Sequence, residues 1–380
     1  MTLTVTEHGY TYSPATHRLD VDNPAVGADL GGGAPTTTIG QIVRGLQRRL
    51  RAGGAPITVL SCDNLTGNGS HTRRLVREFA AELTAAENDE LTAYLDTAVA
   101  FPNCMVDRIV PATTDRYRQA VADQLGLRDD IPVPAEPFTM WVLEDDFAAG
   151  RPAWERGGAI FSDEVESYEL LKLRLLNGTH SLIAYLGALD GRAIIPDSVA
   201  QPFVAEAARA VLYQDYLPSV PVPADVDLDE YVGQLFVRWS NTALGHGTHQ
   251  VGSDGSVKLA QRIPEPALLH LAAGRMPHHL ALTVAAYLQC VAPPTGFDPG
   301  RDAAAMNDPA RTGLAGLAAT HAGSTAFAQA VLDTGLLGRE LAGQPDFVAR
   351  VAEFRDILTA QGPATAAAEA NQASPVTIPA

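Results

Sequence analysis

The sequence predicts an α/β layer with a mostly parallel sheet over residues 1–150, an all-helical domain over residues 151–364, and a disordered tail over residues 365–380. Three observations predict this order. In the first 150 residues short β-rich runs alternate with helical runs, the pattern of strand and crossover helix that builds parallel sheets. From about Glu164 onward long helical patterns dominate, punctuated by Pro, Gly and Asp. The last stretch, Thr365 to Ala380, is Ala-rich and polar, a composition that frays at a terminus.

In chain order, Leu3 to Thr6 is a strand candidate and Ile39 to Arg51 an amphipathic helix stopped by Gly53-Gly54. Ile57 to Leu60 is a second strand, followed by a turn and the helical stretch Thr72 to Leu83. Further strands are expected near Met105 to Val110 and Phe138 to Leu143. The helical half then runs through Val165–Leu189, Val199–Tyr213, Leu228–Trp239, Ala267–Leu271, His278–Val291 and Thr312–Leu337.

Composition narrows the class. The chain is 46% hydrophobic and 19% charged, the balance of a globular protein with a large core. A net charge of -17 argues against a nucleic-acid groove, which needs clustered Lys and Arg. Three cysteines, Cys62, Cys104 and Cys290, are too few and too scattered for a disulfide framework or a Cys-rich zinc site. Met1 to Tyr10 has no basic or apolar leader character, and the apolar run Leu280–Pro294 is short for a membrane span. A reduced, soluble, cytoplasmic protein without a membrane or nucleic-acid partner is the expectation.

The most informative segment is Tyr168-Glu-Leu-Leu-Lys-Leu-Arg-Leu-Leu-Asn-Gly-Thr-His180. At roughly 100° per residue, His180 lies about 80° from Lys172 and Asn177 about 140° from it, so all three fall within one half of the helix surface. Leucines at 170, 171, 173, 175, 176 and 182 leave little polar surface on that helix. A lysine, an amide and an imidazole there are costly unless paired. Burial lowers a lysine's pKa, so Lys172 could exchange a proton near neutral pH while an amide holds a developing alkoxide. The bland alternative stays open: Lys172 snorkels to solvent and His180 is a satisfied core histidine.

Three other segments share the first half. Ser61-Cys-Asp-Asn-Leu-Thr-Gly-Asn-Gly69 follows a strand and precedes a helix, where α/β sheets place ligands, although an Asx-turn with a helix cap reads equally well. Phe101-Pro-Asn-Cys-Met-Val-Asp-Arg-Ile-Val-Pro111 could equally serve structural ion pairs through Asp107 and Arg108, and Glu136-Pro-Phe-Thr-Met-Trp-Val-Leu-Glu-Asp145 reads as structural. No G-x-G-x-x-G turn follows a strand; Gly31-Gly-Gly33 reads as a loop, and Gly245-His-Gly247 lies in the helical half.

Lys172, Asn177 and His180, with Leu-rich filling and Gly178 after the Asn, resemble the Lys-x-x-x-x-Asn-x-x-His signature of the long-chain mannitol dehydrogenase family. The segments beginning at Leu3, Ser61, Phe101 and Glu136 are similar to further blocks of that family, in the same order. The resemblance implies a partial Rossmann-like N-terminal domain of the 6-phosphogluconate-dehydrogenase-like kind, with roughly a hundred residues of the family's coenzyme domain expected ahead of Met1. It implies Lys172 as general acid/base, Asn68 and Asn177 as the oxyanion pocket, and His180 beside them. Glu7 and Asn64 would meet an NAD coenzyme and Val106 the coenzyme or substrate, with NADP not distinguished and no metal used, and Asp107 would support His180 at the substrate site.

Arg238 to Arg262 is the segment that separates family branches. Mannitol-type members tend to carry Arg at the position of Gln250, and Gln250 with Gln261-Arg262 leans toward the fructuronate reductase (mannonate oxidoreductase) branch. Gly245, Gly247 and His249 depart from that branch's Lys, Arg and Trp, leaving Lys258 and Arg262 as the cations available to a substrate. The implied activity is hydride transfer between a keto sugar or keto-uronate and its polyol or aldonate. The rival expectation is a noncatalytic remnant without a working coenzyme site.

Overall fold

In a computed structural model the described residues are 1–5, 7–13, 16–321 and 323–374, with the side chains of Glu7 and His8 outside the description. The chain divides into two compact units, residues 1–108 with 137–169, and residues 109–136 with 170–380.

The first unit is α/β. Thr2–Leu3 pairs in parallel with Leu60–Ser61, and Ile57–Thr58 pairs in parallel with Val99–Ala100. Between the two short strands Val59 still donates to the Ala100 carbonyl at 2.9 Å, so residues 57–61 run as one extended line with a partner on each side. A second sheet sets Cys104–Asp107 antiparallel to Met140–Leu143, which runs parallel to Ala159–Phe161. The helix Thr38–Arg51 starts where the Thr37 hydroxyl accepts from Gly40 N at 3.0 Å, and buries Ile39, Ile42, Val43 and Leu46. That apolar stripe joins Leu75, Val76 and Phe79 of the helix Asn68–Ala81 and Leu91 and Leu95 of the helix Ala85–Ala98 in one core.

The helix Asn68–Ala81 begins one turn earlier than the expected Thr72, inside the segment read as a loop. Gly67 makes this possible: its φ of 61° turns the chain from the strand end into the helix. Gly69 follows on the first turn, and a Cβ there would stand 2.3 Å from the Pro102 carbonyl oxygen, so only glycine lets the helix reach the neighbouring strand end.

The second unit is helical, with Leu228–Trp239 and His278–Val291 at the expected bounds. The apolar run from Leu280 is a buried helix, and among the described residues no helix is long and apolar enough to cross a membrane. By packing, residues 109–136 of the expected first domain group with the helical unit. The physical reason is the Glu136 carboxylate, 1% exposed, which pairs with Arg238 at 2.8 Å and accepts from Ile109 N at 2.6 Å. The supposed tail also forms a helix, Pro363–Ala373, which buries Ala366, Ala367 and Ala370 against the helices Pro202–Ala210, His278–Val291 and Pro345–Gln361. Its alanines are a packing face rather than a sign of disorder. Residues 375–380 lie outside the described residues.

Candidate active site

Lys172 opens a π-helix, Lys172–Gly178, set between α-helical Val165–Leu171 and Thr179–Leu189. A π turn bonds residue i to i+5, so Asn177 comes further round toward the face of Lys172 than an α-helical count gives. Between Leu171 and His180 only Lys172, Leu173 and Asn177 keep partial exposure, and every other side chain is buried. The wide turn thus puts its amine and its amide on the one accessible strip of a buried helix.

Widening a helix leaves main-chain carbonyls to be satisfied from elsewhere. The Asn177 carbonyl accepts from Arg262 Nη1 at 2.9 Å and from the Ser181 hydroxyl at 3.3 Å, and the same Nη1 donates to Ser181 Oγ at 2.7 Å. Arg262, read from the sequence as a cation for substrate, therefore braces the lysine turn. A second brace is Arg174, 2% exposed, whose guanidinium pairs with Glu265 at 2.7 Å and donates to the Ser219 carbonyl.

His180 follows one turn later and is 7% exposed. Burial, with the charges of His246, Arg262, Arg238 and Lys258, holds its imidazole well below the ordinary histidine range, so it is neutral at pH 7. The ring of His246 stands edge-on to it at 5.1 Å and Trp239 lies at 6.2 Å. Burial and Lys258 also lower the His246 pKa. Sequence reasoning missed His246, because two flanking glycines gave it the look of a loop, and it missed Ser181, whose i+4 spacing from Asn177 was the available signal.

Lys258 and Gln250 serve the backbone around the same segment. Lys258 Nζ donates to the carbonyls of Ser253 at 2.6 Å and Val251 at 3.2 Å, closing the end of the helix Thr248–Gly252. Gln250 is exposed, and its Oε1 accepts from Gly247 N at 3.4 Å.

The remaining candidates belong to the first unit. Asn68 is fully buried, and its amide is committed within that unit: Nδ2 donates to the carbonyls of Cys104 at 2.9 Å and Asp63 at 3.4 Å, while Oδ1 accepts from Cys104 N at 3.0 Å. Both amide protons are in use, so Asn68 as it stands pins the turn to the strand Cys104–Asp107. Asp63 Oδ1 accepts from Leu65 N at 3.0 Å, the Asx-turn that the residue types allowed. Gly67 N donates to the Glu169 carboxylate at 3.0 Å. With Asp63 and Asn68 turned inward, Asn64 is left exposed at the carboxyl end of the parallel strand. Val106 is half-buried, and Asp107 is 3% exposed, at the end of its strand opposite Met140. The Glu7 backbone is in a 3₁₀ turn, Glu7–Tyr10, and its side chain lies outside the described residues. Among the described residues no group of three or more His, Cys, Asp and Glu is arranged to hold a metal ion.

Comparison with known proteins places these elements in a lineage. Residues 1–156 match the family described as the mannitol dehydrogenase Rossmann domain, and residues 164–357 match the mannitol dehydrogenase C-terminal domain. The chain is 39% identical to the D-mannonate oxidoreductase of Escherichia coli (strain K12) over 352 residues, which span 92% of this chain and 71% of that protein. It is 38% identical to a mannitol 2-dehydrogenase of Pyrenophora tritici-repentis over 81% of this chain and 54% of that one. A ternary complex of Pseudomonas fluorescens mannitol 2-dehydrogenase with NAD and D-mannitol superposes with a TM-score of 0.81 at 33% identity, covering 98% of this chain and 74% of that one. With both halves matched in order, the chain belongs to the mannitol dehydrogenase family, a family of dehydrogenases acting on CH–OH groups.

Proposed function

We propose that this protein interconverts a keto sugar or keto-uronate and its polyol or aldonate, with NAD as coenzyme and Lys172 as general acid and base. The observation that carries the reading is the accessible strip of the wide turn, where Lys172 and Asn177 are the two polar side chains left partly exposed in an otherwise buried stretch. The family's name supports the reaction class, and the D-mannonate and mannitol relatives support the two substrate types.

The coenzyme reading is supported by the first unit, where Asn64 is exposed in the turn after the parallel strand and Val106 is half-buried on the strand Cys104–Asp107, residues suited to face a dinucleotide. When bound, that coenzyme supplies or accepts the hydride. Lys172 gives its proton to the oxygen that gains charge as the carbonyl is reduced, and takes a hydroxyl proton in the reverse direction. The Asn177 amide holds the same oxygen. His180, neutral in its buried setting, holds a substrate hydroxyl. Asn68 acts within its own unit by fixing the turn that carries Asn64.

The test is Lys172→Ala, assayed by NADH consumption with fructose, fructuronate and tagaturonate. The expected result is a loss on the order of 10³-fold in kcat with all three, with unchanged far-UV circular dichroism. Turnover within a few-fold of the parent would remove Lys172 from the chemistry. The substrate with the highest kcat/KM in the parent protein assigns the branch.

A further inference from the structure

A small cavity of about 10 Å³ lies inside the helical unit, lined by the polar His180, Arg238, Trp239, Asn241 and His246 together with apolar side chains such as Ile195 and Leu244. That is close to the space a single water needs. Two polar atoms of its lining residues, His180 Nε2 and Trp239 Nε1, are buried and have no hydrogen-bond partner among the described residues. Such groups are rare in folded proteins. His180 is 7% exposed and Trp239 1%, so bulk solvent does not serve them.

His246 completes the lining and keeps partial exposure. Its main chain, not its side chain, fixes it in place: the His246 carbonyl accepts from Ile195 N at 2.9 Å, and Thr248 N donates to the Ala193 carbonyl at 2.9 Å, so residues 245–248 are stitched to residues 193–195. The ring is thereby set edge-on against His180 with 70° between the planes.

We propose that this cavity holds one water that fixes the tautomer of His180, and that His246 is the positioning residue that closes the cavity over it. The argument is one of donors and acceptors. The indole N–H of Trp239 can only donate, so a water between the two rings accepts from it and has O–H groups to give. In the proposed arrangement Nε2 of His180 is the acceptor of one of them. Nε2 therefore carries no proton, Nδ1 does, and the imidazole presents a single fixed donor to its other side. Partners of this kind set the tautomer and orientation of a working histidine. With the cavity open, both tautomers of the ring become populated.

The inference rests on the reading of His180 as a substrate-contacting residue, but the tautomer is measured without turnover. The experiment is nitrogen NMR of the full chain labelled with ¹⁵N at its histidine rings, the His180 signals being assigned by their loss in His180→Asn. In the parent protein near pH 7 the expected result is one neutral tautomer protonated at Nδ1. In His246→Ala and in Trp239→Phe the expected result is averaged ring shifts, and His246→Asn restores the parent pattern. With the best substrate, His246→Ala lowers kcat on the order of tenfold at little changed KM. A His180 spectrum unchanged in both His246→Ala and Trp239→Phe overturns the proposal, as does a parent ring protonated at Nε2. Trp239→Phe keeps most of the ring volume and decides the matter if His246→Ala does not fold. Should Lys172→Ala retain turnover, the proposed function falls while the tautomer result stands on its own.

Discussion

The ring of Tyr216 occupies the space that a side chain on Gly178 would need: a Cβ there would stand 2.4 Å from Tyr216 Cζ and 2.7 Å from its hydroxyl. Gly178 ends one π-helix and Tyr216 ends another, Val211–Tyr216, and the two pack against each other. The glycine after Asn177 is therefore a packing requirement of the lysine turn. Gly178→Ala is expected to destabilise the protein by about 1–3 kcal/mol, overpacking outweighing the helix propensity gained. Urea unfolding measures it, and the double variant with Tyr216→Ala should show a favourable coupling. A single variant as stable as the parent would show that the ring gives way freely.

Arg262 supports the same turn from the other side. Replacing it with Met removes the donor to the Asn177 carbonyl and to Ser181 Oγ, leaving acceptors that solvent reaches poorly. The expected cost is about 1–3 kcal/mol of stability, with kcat falling more than KM rises, because Asn177 loses its fixed place. Ser181→Ala, which leaves the Arg262 bond to the Asn177 carbonyl in place, should cost less. If Arg262 instead met the substrate directly, Arg262→Met would raise KM strongly and leave the unfolding midpoint where it was.

Asn68 separates two roles that the residue type cannot. Its amide bonds both N–H and C=O of Cys104, so Asn68→Ala strands buried main-chain groups. A loss of about 2–4 kcal/mol is expected by chemical unfolding, as two such groups go unpaired. An Asn68 that acted on a substrate oxygen alone would lose activity at unchanged stability.

Much of this was legible in the sequence, and the parts that were not have physical causes. The strand Ile57–Leu60 and the helices Leu228–Trp239 and His278–Val291 follow directly from apolar periodicity, because each buries a continuous face. The motif Lys172, Asn177, His180 was legible as chemistry, but its angles were counted on an α-helix. The π turn depends on Tyr216 and Arg262, residues 38 and 84 positions beyond Gly178 that no local pattern connects to it. The helix Ala85–Ala98 went unread because its apolar face is only Leu91, Tyr94 and Leu95 amid acidic and small residues. The helix Pro363–Ala373 reads as a tail in the sequence because alanine carries too little apolar area to mark a buried face. Asn68 and Arg262 were legible as polar groups near a site, while their commitment to main-chain carbonyls was not.

Two buried groups of the helical unit give opposite pH dependences that can be told apart. His279 is fully buried, with Nε2 against Asn371 Oδ1 at 2.8 Å, and burial pushes its pKa down to about 4. Between its ordinary 6.5 and 4 the unfolded chain binds a proton that the folded one refuses, so this contribution to stability is present above 6.5 and lost as pH falls through 4. Asp215, 2% exposed and accepting from Leu280 N at 2.9 Å, is pushed up to about 7 by burial. Between 3.8 and 7 the folded chain holds a proton that the unfolded one releases, so this contribution is present below 3.8 and lost as pH rises through 7. In the shared window the two slopes oppose each other, each about 1.4 kcal/mol per pH unit at most. Removing one exposes the other. The stability of Asp215→Asn relative to the parent should rise as pH goes from 4.5 to 7, and that of His279→Asn relative to the parent should fall over the same range. Urea unfolding at half-unit steps of pH measures both, and curves that run parallel to the parent's would show that neither group titrates as its burial requires.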